Sequence, residues 1–350
     1  MSIINILLVI CAIVIIFLLI SKFINKYNRS KKMHEAARSG YVLGTLINLR
    51  AYGNAPEAAI DEAFEKLNDI DDKMSAFKEN SEISKINLGA GAKAEIVSYD
   101  TYFVVKKAIE YSKILEGTFD PTIRPLVKLW GIGTKDERIP QRSEIDKVLK
   151  LVNYNDVILE ESNSSIKLKQ EKQALDVGGI AKGFAADKVR DIFIKNNIKS
   201  ALIDLGGNIF ALGNKQDNTS WKVGIQNPFK PRGEFIGILS VKDKSIVTSG
   251  NYERYFIEDG RRFHHIIDPK TGYPSESEII SATIISDNSI DGDGLSTGIY
   301  ILGVEKSLRI IESIEGVEAI LVTEDKKVYT TSGINEIFMV TDKEFTSENE

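Results

Sequence analysis

Residues 174–213 read ALDVGGIAKGFAADKVRDIFIKNNIKSALIDLGGNIFALG, and the 350-residue chain is organised around this stretch. Twice in it a hydrophobic run ends in an acid, one apolar residue and a glycine pair: Asp176, Gly178 and Gly179, then Asp204, Gly206 and Gly207. Paired glycines let backbone approach a ligand closely and present its N–H groups. Between the pairs, Ile180, Phe184, Val189, Ile192 and Phe193 recur at helical spacing, which predicts a helix. Its N-terminus points at whatever lies beside Gly179, and helix N-termini favour phosphate. Lys182 adds a full positive charge there. Either glycine pair taken alone also reads as an ordinary strand-ending turn.

Composition narrows the function classes. Hydrophobic residues make up 43% of the chain, enough for a large core in one large domain or two. Lys and Arg number 45 against 50 Asp and Glu, a formal charge of -5, and no basic block stands out, so nucleic acid is a poor partner. Cys11 is the single cysteine, which leaves the body without disulfides or a cysteine metal site. The three histidines, His34, His264 and His265, do not have zinc-site spacing.

Residues 3–20 are apolar except for Asn5, marginally long enough at about 1.5 Å per residue to span a bilayer core. With no positive leader and no small-residue cleavage site, the run reads as an uncleaved anchor over 1–24. Ile10 before Cys11 argues against lipid attachment. Lys22, Lys26, Arg29, Lys31 and Lys32 follow in a basic linker, 25–40, and place that flank in the cytoplasm by the positive-inside tendency.

The stretch 41–52 alternates like a strand with a bend at Gly44 and Thr45, and Pro56 opens a helix whose stripe runs from Ile60 through Met74 to Phe77. Ser81 to Asn87 read as a polar loop, and a second helix is predicted over 102–115. Residues 117–133, GTFDPTIRPLVKLWGIG, look too punctuated for regular structure. Their aromatics either wall a planar ligand or pin a buried loop through Trp130. A small helix is expected over 143–151, and 221–284 read as an antiparallel meander in which His264 and His265 face opposite ways. In a late helix, Asp293 and Thr297 stand four apart and share a face, either as oxygen donors for a hard cation or with the acid as a plain cap. Strands are expected over 318–340 and a frayed tail over 341–350.

In number and order these motifs resemble the ApbE-type FAD:protein FMN transferases, over essentially everything after the anchor. The carriers are LGT at 43–45, MSAFKENSEISKIN at 74–87, GTFDPTIRPLVKLWG at 117–131, DVGGIAKG at 176–183 and DLGGN at 204–208. TSGNYERYF at 248–256, HHIIDPKTGYP at 264–274 and DGLSTG at 293–298 complete the set. The resemblance implies an α+β, T-fold-like catalytic domain over 41–340, with mixed or antiparallel sheets, covering helices and a cleft between two lobes. It implies FAD as substrate, magnesium as cofactor, and FMN passed to a Thr or Ser hydroxyl of an acceptor protein, an electron-transport subunit, with loss of AMP. FAD contacts carried over by position are Leu43, Phe77, Thr118, Phe119, Asp120, Asp176, Lys182 and Ile267. Gly179, Asp293 and Thr297 would hold the metal, and His265 is the implied base beside Lys182. Phe77 and Leu43 depart from the family's frequent tyrosine and methionine. Hydrolysis of FAD and non-catalytic FAD binding are the competing functions. The family works mostly outside the cytoplasmic membrane, against the charge of the flank after Ile20.

Overall fold

A nine-stranded sheet runs in the order His34–Val42, Thr45–Gly53, Ser200–Leu205, Asn208–Leu212, Lys244–Gly250, Ile279–Ser286, Glu318–Thr323, Lys327–Thr330, Thr346–Ser347. All neighbours pair antiparallel except the last two strands, which are parallel. The computed structural model describes residues 34–348, so the expected span 3–20 and Cys11 lie outside the described residues. Among those described, no helix is long and apolar enough to cross a membrane.

Period-two alternation explains the layers. Ala319 and Leu321 pack into one core and Ile320 and Val322 into the other, and Ile279–Ser286 is buried along its whole length. Helices Pro56–Met74, Ala181–Lys195 and Ser289–Leu302 cover the first face. A small sheet of Trp221–Gln226, Phe235–Val241 and Phe338–Val340 covers the second. Each fully buried Leu or Ile in these layers contributes about 1.5–3 kcal/mol. A third, smaller cluster packs Leu126, Trp130, Ile145, Phe263 and Ile267 together.

Several sequence expectations are corrected. The first strand begins at His34, inside the expected linker, because its whole length pairs with Thr45–Gly53. Residues 117–133 contain a helix, Arg124–Trp130, with Pro125 in its first turn and left-handed Gly131 as its stop, so both supposed breakers act as helix ends. Ser81 caps a short helix, Glu82–Leu88, by accepting the Ser84 N–H. The first helix stops at Met74, which leaves Phe77 outside its stripe. The meander divides among three sheets, with Tyr255–Glu258 and Arg261–His264 forming a separate hairpin. The tail is not frayed over its described part: Phe345 is buried and Thr346–Ser347 joins the large sheet.

The topology gathers loops at one end of the sheet. Helix Ala181–Lys195 is about 22 Å long. Strand Ser200–Leu205 runs back along it for about 20 Å, so the Gly206–Gly207 turn returns to the helix start beside Gly178 and Gly179. Gly206 has a φ of 68°, and its Cα faces the Thr45 side chain so closely that a Cβ would overlap it. This brings the Leu43–Gly44 hairpin turn to the same end. Strand Lys244–Gly250 pairs Val247 with Asn208 and continues past it, carrying Ser249 there as well.

Helices Ala181–Lys195 and Ser289–Leu302 cross at Gly183, where a Cβ would overlap the Ser289 carbonyl oxygen and lie 2.7 Å from Asp293 Cβ. Gly183→Ala is therefore expected to force the helices apart and lower stability by about 1–3 kcal/mol. Urea unfolding followed by circular dichroism checks this; an unchanged midpoint would refute so tight a crossing.

Candidate active site

The helix crossing places the late acid at the first glycine turn. Asp293 is 4% exposed, and its Oδ2 accepts the Gly183 N–H at 2.8 Å. In a regular helix that N–H would bond the Gly179 carbonyl four residues back. Diverted to Asp293, it leaves the Gly179 carbonyl without a hydrogen-bond donor among the described residues. Ile180 supplies no side-chain cap, so the positive end of this helix faces the same space. Lys182 Nζ donates to the Gly178 carbonyl at 3.2 Å and to Asp293 Oδ1 at 3.4 Å.

The opposite end of the crossing is held by Asp187, whose two oxygens accept the Ser289 and Ile290 N–H groups at 2.8 and 2.9 Å. Burial pushes this carboxyl up to about 6 against the pull of those two bonds. Thr297, one turn beyond Asp293, lies 3.3 Å from Ser249 Oγ, which also bonds Ser296 at 2.8 Å. The oxygens of Gly179, Asp293 and Thr297 are hard donors of the kind magnesium takes. Two features of the chain fit them to a cation: the unbonded Gly179 carbonyl, and an ammonium already drawn between the turn and Asp293.

The other expected contacts divide into groups. Phe119 packs on Gly179, its ring 3.0 Å from where a Cβ would stand. Thr118 is buried and donates to the Leu115 and Gly298 carbonyls, tying the 117–123 segment to the Asp293 helix. Asp120 uses both oxygens internally, on Thr122 N–H and Oγ1 and on Tyr154 N–H, so its carboxylate fixes the loop. Asp176 accepts the Gly178 N–H at 2.9 Å and Arg124 Nη1 at 3.1 Å. Leu43 takes a φ of 54° in the hairpin turn and packs partly on the main core. The ring of Phe77 is 76% exposed. Ile267 points into the Trp130 cluster, not into open space, because residues 268–273 fold back over it: Asp268 N–H bonds the Tyr273 carbonyl.

His264 ends the Arg261–His264 strand and His265 follows it. His264 is buried, with Nε2 2.9 Å from the Ser275 carbonyl and its ring edge-on to Tyr300, a core histidine. His265 is half-buried, with Nδ1 3.2 Å from the Arg254 carbonyl. Burial pushes His265 down to about 4, and the charges of Arg254 and, less, Lys182 act in the same direction. It is therefore neutral near pH 7 and able to accept a proton. An aromatic ladder builds on the adjoining strand: Phe256 stacks on Phe263 at 5.3 Å, Phe263 on Trp130 at 5.7 Å, and Trp130 Nε1 donates to the Gly272 carbonyl. The tethering roles of Asp187, Ser249 and Asn87, the last bracketing Leu175 through two bonds to its backbone, escaped the sequence reading. The hydrogen-bond partners named for them lie 47 to 103 positions away, beyond the reach of local spacing.

Residues 43–321 match the sequence model of the ApbE family. The chain belongs to that family. An FAD:protein FMN transferase of Treponema pallidum (strain Nichols) is 35% identical over 334 residues, 91% of this chain and 92% of that protein. One from Klebsiella pneumoniae (strain 342) is 37% identical over 294 residues, 84% and 91% of the two chains. The crystal structure of the ApbE protein of Thermotoga maritima superposes with a TM-score of 0.80 at 29% identity, covering 87% of this chain and 99% of that one. The flavin transferase ApbE of Vibrio cholerae gives 0.79 at 27% identity with the same coverage. The Treponema pallidum and Klebsiella pneumoniae relatives are enzymes, and this chain shares the mixed α+β fold of the two ApbE structures.

The depressed His265 makes a pH prediction with a definite sign. Above pH 6.5 the residue is neutral both folded and unfolded; as pH falls from 6.5 toward 4 the unfolded chain binds the proton first, and stability drops by up to about 3 kcal/mol. Replacing it by glutamine removes that component. His265→Gln should therefore lose less stability than the parent between pH 6.5 and 4 in urea titrations, the other titrating groups being common to both. Parallel losses would contradict the placement of a half-buried neutral imidazole.

Proposed function

We propose that this chain is an FAD:protein FMN transferase that moves FMN from FAD to a Ser or Thr hydroxyl of an acceptor protein and releases AMP. The observation that carries this reading is the convergence of the first glycine turn, an open helix N-terminus, Lys182 and buried Asp293 at one point. A diphosphate seated there would meet the positive helix end and the ammonium. Magnesium, held by the Gly179 carbonyl, Asp293 and Thr297, would neutralise charge on the diphosphate and on the departing AMP.

His265 takes the proton of the acceptor hydroxyl as its oxygen attacks the flavin-side phosphorus; the bond from that phosphorus to the AMP oxygen breaks, and FMN remains on the acceptor as a phosphoester. With a pKa near 4 the free imidazole is a weak base. The anionic diphosphate arriving beside it favours the protonated form and shifts it toward the working range. Lys182 follows the charge onto the leaving phosphate. Phe119, the Thr118 segment and the Phe77 ring flank the flavin half, and Leu43 borders it from the hairpin turn. Residues 3–20 are proposed as a single membrane anchor with this domain on the extracytoplasmic side and a membrane electron-transport subunit as acceptor. Protease accessibility in intact cells tests that orientation; protection of the domain until lysis would reverse it.

Intact-protein mass spectrometry of a candidate acceptor incubated with the enzyme, FAD and magnesium tests the activity. An FMN-sized gain on a Ser or Thr is expected, whereas AMP release at an equal rate without acceptor would indicate hydrolysis. Asp293→Ala should cut transfer by about a hundredfold or more and weaken magnesium dependence. Full activity in that variant would remove the metal assignment.

A further inference from the structure

Arg124 sits at a junction of three segments. Its Nη1 donates to Asp176 Oδ2 at 3.1 Å and its Nη2 to the Ala76 carbonyl at 2.9 Å. Its guanidinium carbon lies 4.2 Å from the centroid of the Phe77 ring. The other oxygen of Asp176 holds the Gly178 N–H. One half-buried cation thus connects the loop after Met74, the start of helix Arg124–Trp130 and the first glycine turn.

The Phe77 ring has little else to hold it. It lies beyond the end of its helix and outside the main core, and a ring so exposed is free to rotate unless something beneath it is attractive. A guanidinium suits this use because its hydrogen-bond fork lies in its own plane, so both bonds can be made while a face remains for stacking. An ammonium could reach one of these partners but offers no plane. With one face of Phe77 on the cation, the other faces outward at the site end of the sheet.

We infer that Arg124 is a positioning residue that fixes the Phe77 ring in register with the Asp176–Gly178 turn, so that a ligand with a planar ring and a diphosphate finds both receiving surfaces already at a set separation. This rests on the reading of the site as an FAD site. The benefit falls on ground-state binding, since neither Arg124 nor Phe77 is placed at the reacting phosphorus.

The test uses the whole chain, with FAD binding followed by flavin fluorescence quenching, transfer kinetics, and thermal melting as the control on folding. Arg124→Met should raise Kd and KM for FAD about tenfold and reduce quenching at saturation, with kcat changed less than about twofold. Arg124→Lys should stay close to the Met variant. In a Phe77→Leu background the Arg124 change should cost much less, because the ring it holds is gone. Should Arg124→Met fail to fold, Arg124→Lys and the Phe77→Leu pairing carry the same comparison. Parental affinity and quenching in both Arg124 variants, or an equal loss with and without the Phe77 ring, overturns the positioning role alone. No FAD binding by the parent chain overturns the functional reading and this inference with it.

Discussion

A carboxylate buried between two crossing helices is the constraint on which the rest depends. Asp293 has little access to water, and removing a charge from water costs several kcal/mol unless donors replace it. The Gly183 N–H is the donor within closest reach, and it is reachable because residue 183 has no side chain to hold the helices apart. That bond takes an N–H out of the first turn of its own helix, and the cost falls on the Gly179 carbonyl. Satisfying the acid and leaving a turn carbonyl open are one event. Asp187 does the complementary work below, closing the N-terminus of the partner helix so that the crossing cannot slide.

The sheet turns this local constraint into a site. Antiparallel neighbours return every second connection to the same end, and Ile279–Ser286, buried on both faces, is the strand least able to shift register. The Trp130 cluster then ties two segments remote in sequence, the one carrying Phe119 and the one carrying His265, through stacked rings and not through backbone pairing. Such stacking fixes orientation as well as distance. The imidazole itself is held by the Arg254 carbonyl, on the neighbouring hairpin segment.

What the sequence disclosed follows from the range of each interaction. Helix 180–193 was legible because its burial repeats every three or four residues, and the second glycine pair because Gly206 meets its neighbour at a positive φ. Counting spacing without dihedrals carried the first stripe on to Phe77, although Ser75 leaves helical geometry with ψ 124°. The division of 221–284 among three sheets was illegible because alternation reports which side of a strand is buried and says nothing of its partner. Ile267 and Asp120 looked like ligand contacts in the motifs that carry them. Their side chains are turned inward by the Tyr273 and Tyr154 backbones, information that lies outside those motifs.

An anion site lined with acids needs an electrostatic account, and the three carboxylates supply one. Asp120 is matched by Thr122 and Tyr154, Asp176 by the Gly178 amide and Arg124, and Asp293 by the Gly183 amide and Lys182. Each acid is neutralised or fully hydrogen-bonded inside the protein, so none projects an uncompensated field toward the glycine turn. They are not matched equally. Asp120 and the amide side of Asp293 rest on short backbone bonds that loosen only if the fold opens. The contact from Lys182 to Asp293, at 3.4 Å, comes from the end of a flexible, partly exposed side chain. It is the partner that can leave at least cost: an ammonium swinging from Asp293 to a phosphate keeps its charge paired throughout, while the acid it leaves needs another cation. The proposed metal and the proposed phosphate contact are therefore linked, because the same lysine cannot serve both ends, and a cation in the oxygen site would free it for a phosphate.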